Sequence, residues 1–378
     1  MKALQIFAGP RALEHLRTSG LDPADIRVIP AAAGGPKGLT LLPLDRFLFG
    51  QWLQQSTQTV HLVGASIGAW RMAAACLNNP VGAINALEHA YIRQEFDIPS
   101  GRKRPTRAHV SERFAEGISA MFGERIREVL DHPRYRVHVV TSRGRGILNR
   151  DTTLRRALGY AGAYATNVFS RKSMQRWLER AVFSAQAAPL PFATDDYRTR
   201  RYALSEINFA HAVQASCSIP FVLNAVHDIP GAVRGAYWDG GITDYHLHLD
   251  YRSACAVHAP TLSTESENAT QRNVRQGIVL YPHFQKNVVP GWLDKSLKRR
   301  HGATSYLDDV ILLTPHPEWI ATLPNAKLPD RSDFKLFGTN HDARVRVWSQ
   351  AVKQSEQLRD EFEQWIDGGA STEHVDPL

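Results

Sequence analysis

Cysteine is scarce in this 378-residue chain: Cys76, Cys217 and Cys255 are far apart, odd in number and form no CxxC pair. That usage excludes a disulfide scaffold and a zinc knuckle and points to a reducing, cytoplasmic setting. No apolar run comes near the ~18 residues that a membrane-spanning helix needs, and mean hydropathy is −0.31. The N-terminal MKALQIFAGPRALEHL lacks the continuous apolar stretch and small-residue cleavage site of a secretory signal. Internal repeats and a sharp compositional break are missing too. One domain is therefore expected, with a core over residues 1–255 and a C-terminal extension of its sheet and helices over 256–378. RNP-like, zinc-finger and helix-turn-helix patterns are absent, so no nucleic acid partner is expected. With 43% hydrophobic and 22% charged residues, the chain is neither disordered nor fibrous.

What the chain does have is positive charge. Lysine plus arginine number 45 against 37 acidic residues, a net charge of +8, and the sequence pI is ≈ 9.5. Such a balance favours anionic surfaces without specifying a fold. The basic residues gather in SGRKRPTR (100–107) and KSLKRRH (295–301). Each cluster reads either as a solvated loop or helix end, or as a docking patch for anionic lipid headgroups that would bring peripheral membrane contact. The stretch 291–300, GWLDKSLKRR, is amphipathic, and a surface helix is the simpler reading than an interfacial lid.

Strand and helix patterns alternate along the first third. A helix is expected over 10–20, with proline at its start and glycine at its stop, and a β-branched strand over 26–29. That strand empties into AAAGGPKG (31–38), followed by a helix over 39–55. A second strand over 60–63 runs through GASIG (64–68) into a helix over 69–77. Strand, glycine turn and helix, twice over, predict an α/β fold with a central, mostly parallel sheet wrapped by helices. Further helices are expected over 79–95, 110–130 with a break near Gly123, 151–180, 209–216 and 340–366. Strands are expected over 135–141, 236–238, 277–281 and 310–313, and a polar loop over 260–273.

Three of these junctions carry chemistry. In Gly64-Ala65-Ser66-Ile67-Gly68, an abrupt strand-to-helix turn strains its central residue and needs small neighbours to close. Ser66 is then presented above the strand end beside a helix N-terminus, as a nucleophile requires. In Ala33-Gly34-Gly35-Pro36-Lys37-Gly38, consecutive glycines let backbone N–H groups converge on an anion such as a developing oxyanion. Pro36 has no N–H, so Gly34, Gly35 and Lys37 are the candidate donors. The lysine is followed by Gly38 where a nucleotide-binding loop has serine or threonine, which disfavours a phosphate loop. Trp238-Asp239-Gly240-Gly241 places a carboxylate at a strand end with two unobstructive glycines behind it. Asp239 is therefore a candidate base acting directly on Ser66, although an isolated Asp-Gly-Gly is more often a plain turn.

Together with QASCSIPF (214–221), these motifs occur in the order found in the patatin-like phospholipase family, which the chain resembles over roughly residues 26–243. The resemblance implies a three-layer α/β/α fold and a Ser–Asp dyad that hydrolyses lipid esters without metal or organic cofactor. It assigns the nucleophile to Ser66, the base to Asp239, and the oxyanion loop to Gly34, Gly35 and Gly38 with Lys37 at its basic position. Two features depart from the family pattern. Ala32 and Ala33 stand where an acidic residue and a further glycine are usual, and ITDYHLHLD (242–250) replaces a short run ending in proline.

Other readings compete. His246, His248 and Asp250 alternate as metal ligands on one strand face would, but so do the polar residues of an ordinary half-exposed strand. A Ser-Asp-His triad could draw on His258, His283 or His316, with no spacing that singles one out. A non-catalytic module docking on anionic membrane is the third reading. Cys217 is expected to be a small buried thiol.

Overall fold

The computed structural model describes residues 2–102, 105–256 and 276–378. Its centre is a sheet of β1 (Leu4–Ala8), β2 (Ile26–Ala31), β3 (Val60–Ala65), β4 (Tyr135–Gly144), β5 (Leu178–Ser184), β6 (Thr199–Ala203), β7 (Val226–His227), β8 (Ala236–Asp239), β9 (Ile278–Pro282), β10 (Val310–Pro315) and β11 (Val375–Pro377). The order across the sheet is β11-β1-β10-β9-β2-β3-β4-β5-β6, with β8 paired to β4 and β7 to β8. The run from β10 to β4 is parallel throughout. Antiparallel pairs join β1 to β10 and β5 to β4. The α/β expectation with a mostly parallel sheet is borne out.

Successive strand residues point to opposite faces. In β2, β3 and β4 nearly every residue is buried, so both faces of the central strands are covered. That is why the strands read as continuous apolar runs rather than as alternations. Helix Ile67–Ala75 is buried along its whole length. Its Arg71 is no exception: the guanidinium makes two hydrogen bonds to Asp45, at 2.7 and 2.8 Å, with both side chains 1% exposed.

Several elements differ from their expected form. Residues 39–55 are helical but change pitch, from a 3-10 helix (Gly35–Leu41) through an α-turn (Leu42–Phe47) to a π-turn (Leu48–Trp52) and a last 3-10 turn (Leu53–Gln55). The expected helix over 151–180 ends at Phe169, and Leu178–Arg180 belong to β5. Glu179 and Arg180 are fully buried there because each has ion partners: Arg143, Arg198 and Arg200 for the one, Asp196 and Asp244 for the other. The expected helix over 340–366 is two helices, His341–Gln354 and Glu356–Asp367, broken at Ser355. The break near Gly123 lies where expected. The polar loop over 260–273 lies outside the described residues.

Removing one partner of a buried ion pair strands the other charge. Asp45→Ala is expected to lower stability by about 3–5 kcal/mol, read from chemical denaturation followed by circular dichroism.

Candidate active site

β4 has two successive neighbours along one edge. Its residues 135–140 pair with β3, ending at Ala65 opposite Val140. The next residue, Thr141, is opposite Asp239 at the end of β8, which arrives from the other direction. β3 and β8 therefore meet end to end, and the residues at the joint are Ser66 and Asp239. The Ser66 hydroxyl donates a 2.7 Å hydrogen bond to Asp239 Oδ2, with the two residues 3% and 5% exposed.

Ser66 has φ 56° and ψ −128°, a conformation that costs a residue with a side chain about 1–3 kcal/mol. The glycines flanking it are steric necessities. A Cβ on Gly64 would lie 2.4 Å from Ala69 Cα, and one on Gly68 would lie 1.9 Å from Ala31 O. The Ser66 N–H donates to Ser216 Oγ at 2.9 Å, and Ser216 Oγ donates in turn to Val140 O at 2.7 Å. Asp239 is held from three sides. Its N–H donates to Ser218 O at 3.0 Å, Oδ1 accepts the Gly241 N–H at 2.7 Å, and Oδ2 takes the Ser66 hydroxyl. Gly240 is pressed on β4, where a Cβ would come within 2.1 Å of Val140 O. Burial pushes the Asp239 carboxyl above the ordinary aspartate range, while Arg331, the Ser66 hydroxyl and the Gly241 N–H act against that rise.

The turn after Asp239 is pinned to the sheet. Thr243 N–H donates to Ser142 Oγ at 3.2 Å, and Asp244 accepts two hydrogen bonds from Arg180, at 2.8 and 2.7 Å. Ser216, Ser218 and Arg180 were not singled out in the sequence, although the first two stand in ASCSIP. That segment serves both partners at once, holding Ser66 through one serine side chain and Asp239 through a backbone carbonyl two residues on.

The glycine loop lies on the same side. Ala33 N–H is used by Tyr245 O at 3.0 Å. Gly34 then leads into the 3-10 helix, whose first N–H groups have no partner within the helix. Gly35 adopts φ 57°, and a Cβ on Gly34 would lie 2.5 Å from the Phe284 ring. Gly38 has a packing position, where a Cβ would lie 3.2 Å from Ile67 Cγ2. Ala33, Gly34, Asp239 and Gly241 line a cleft of about 240 Å³ together with Ile219, Tyr245, Trp292 and three cations, Lys37, Lys295 and Arg331.

The competing candidates lie elsewhere. Residues 246–250 form no strand, and Leu247 between the two histidines has φ 47°. His246 Nδ1 accepts the Val289 N–H at 3.0 Å, His248 Nε2 contacts Thr304 Oγ1 at 2.8 Å, and Asp250 takes Arg252 Nε at 2.8 Å. Among the described residues no imidazole bonds to Ser66 or Asp239. His283 Nδ1 is turned to the backbone of Gln285, His316 Nδ1 accepts the Glu318 N–H at a helix start, and His258 lies outside the described residues. Cys217 is buried, and burial raises its thiol well above the usual range. The basic clusters are partly consumed within the fold. Arg107 bonds Asp151 and Leu223 O, Arg300 bonds Asp294 and Asn167, and Lys295 turns into the cleft.

Residues 48–246 match the patatin-like phospholipase family. The chain belongs to this family. It is therefore a hydrolase acting on ester bonds, within a family of lipid acyl hydrolases. No curated protein matches the chain. The span matched by the patatin-like phospholipase family contains the elbow, Ser216 and Asp239, whereas the glycine loop, Lys295 and Arg331 fall outside it. Among the described residues no helix is long and apolar enough to cross a membrane.

Ser216→Ala leaves the buried Ser66 N–H without an acceptor, a loss of about 1–3 kcal/mol. Ser218 serves Asp239 through its backbone, so Ser218→Ala is expected to cost less. Paired denaturation curves check the order.

Proposed function

We propose that Ser66 and Asp239 are the nucleophile and base of a lipid ester hydrolase, and that the N–H groups of Gly34 and Gly35 receive the oxyanion. The observation that carries this reading is the buried 2.7 Å hydrogen bond from Ser66 Oγ to Asp239 Oδ2. Oγ attacks the ester carbonyl as its proton passes to Oδ2. The carbonyl oxygen becomes an oxyanion beside the glycine loop, where each preorganised donor is worth about 3 kcal/mol. Collapse of the tetrahedral species expels the alcohol, which takes the proton back from Asp239. Water then attacks the acyl-enzyme with Asp239 as base and restores Ser66. The steps need neither imidazole, metal nor organic cofactor.

The packing supports this division of labour. The Ser66 hydroxyl donates to Asp239 Oδ2, and the Gly241 N–H fixes the orientation of the carboxylate that takes the proton. Lys37 lines the cleft next to Gly34, where its charge favours an anionic intermediate. We also propose that residues 256–378 extend the same domain. The position of β9 and β10 between β1 and β2 supports this.

Ser66→Ala is expected to abolish hydrolysis of p-nitrophenyl esters and labelling by a fluorophosphonate while leaving the circular dichroism spectrum intact; turnover by that variant overturns the assignment. Asp239→Asn is expected to cost at least about 10²-fold in kcat, and single substitutions of His246, His248 or His283 far less. A base must be deprotonated, and burial raises Asp239. The acid limb of kcat/KM is therefore expected to fall at a higher pH than an ordinary aspartate would give, with activity present above that limb and lost as pH drops through it.

A further inference from the structure

The polarity of helix Thr153–Phe169 is inverted. Its buried residues include Arg156, Tyr160 and Asn167. Arg156 bonds Asp151, and Asn167 donates to Asp294 at 2.8 Å. Outward it carries Leu154, Leu158, Ala161 and Ala165, at the offsets of a single helical stripe, with Phe169 at the end. Leu154 is 69% exposed, Leu158 57% and Phe169 88%. The helix contains no acidic residue. The water-facing side of a helix is ordinarily polar, and a contiguous exposed apolar patch marks an interaction surface.

The two basic clusters, far apart in the sequence, meet at this helix. Arg107 bonds Asp151 just before its start and the Leu223 carbonyl at 3.1 Å. At the other end Arg300 donates to Asn167 O at 2.7 Å and Arg299 to Val168 O, while Ser296 Oγ lies 3.0 Å from the Tyr164 hydroxyl. Arg150, Arg155, Lys172 and Lys298 stand exposed on or beside the helix. The carboxylates that bond there, Asp151 and Asp294, have side chains only 8% and 0% exposed. The face also adjoins the cleft. Ile219 and Pro220 line the cleft, and Phe221 and Val222 directly after them are exposed, the Phe221 ring lying 6.1 Å from that of Tyr160.

We propose that the outward face of helix Thr153–Phe169 docks on an anionic lipid bilayer. Leu154, Leu158 and Phe169 enter the acyl boundary, and the exposed arginines and lysines meet the headgroup phosphates. Charge complementarity favours this occupant over a second copy of the chain, because pairing the face with itself would set the same cations against one another. The inference goes beyond the ester chemistry and uses neither Ser66 nor Asp239.

The test uses the full chain carrying Ser66→Ala, so that vesicles stay intact, and measures co-sedimentation. The vesicles are phosphatidylcholine with or without phosphatidylglycerol. Binding is expected to the phosphatidylglycerol vesicles and to weaken as salt rises. Leu158→Ser with Phe169→Ser should weaken it at least about tenfold. Arg155→Gln with Lys298→Gln should remove most of the preference for phosphatidylglycerol. All four side chains are exposed, so the circular dichroism spectrum should not change. In the chain with Ser66 intact, the Ser pair should also leave hydrolysis of a soluble p-nitrophenyl ester unchanged. Failure to bind phosphatidylglycerol vesicles, or binding that survives the Ser pair, overturns the proposal. So does a concentration-dependent dimer that Leu158→Ser abolishes, which would give the face to a second copy.

Discussion

Everything at the candidate site depends on the length of one strand. β4 has ten residues and β3 has six, so β4 overruns its neighbour and offers the vacant edge to β8. Strand pairing fixes position along an edge to within a residue, because a slip of one would turn every side chain to the other face. The joint between β3 and β8 inherits that accuracy. Ser66 and Asp239 need no flexible loop to find each other, since Ser66 directly follows the last residue of β3, Asp239 is the last residue of β8, and both strands are registered on β4.

That arrangement is costly in itself. A strained backbone at Ser66 and a carboxylate with almost no access to water both oppose folding. The compensation is local and polar. Ser216 takes the strained residue's N–H, Ser218 takes the N–H of Asp239, and Gly241 donates to its carboxylate. Beyond these contacts, Arg180 ties the following turn to β5 through Asp244. The helix that starts at the elbow is locked by Arg71 to Asp45. Burying so many polar groups is tolerable only because nearly all of them are paired, and the pairing restricts the site to one geometry.

Segments from either side of the elbow and the aspartate meet over this centre. The glycine loop with Lys37 comes from before β3, and Lys295 and Arg331 come from after β9.

The elbow and the strand-end aspartate were legible because their requirements are local. A positive φ with close helix packing demands glycine at fixed offsets from Ser66, and a carboxylate capping its own turn demands Gly241 two residues on. β5 was hidden because Glu179 and Arg180 look like surface residues until Arg143, Arg198, Arg200, Asp196 and Asp244 surround them. β1 and β6 were hidden because LQIFA and TRRYA lack the β-branched density of a central strand. By itself the sequence determined the alternation of strands and helices and the chemistry of its turns, which depend on residues a few positions apart. Only the tertiary structure decided that Ser66 and Asp239 touch across 173 positions, that Ser216 holds the elbow, and that Lys295 and Arg331 face the same cleft. Strand order and register create those contacts, and neither is encoded in any short stretch of chain.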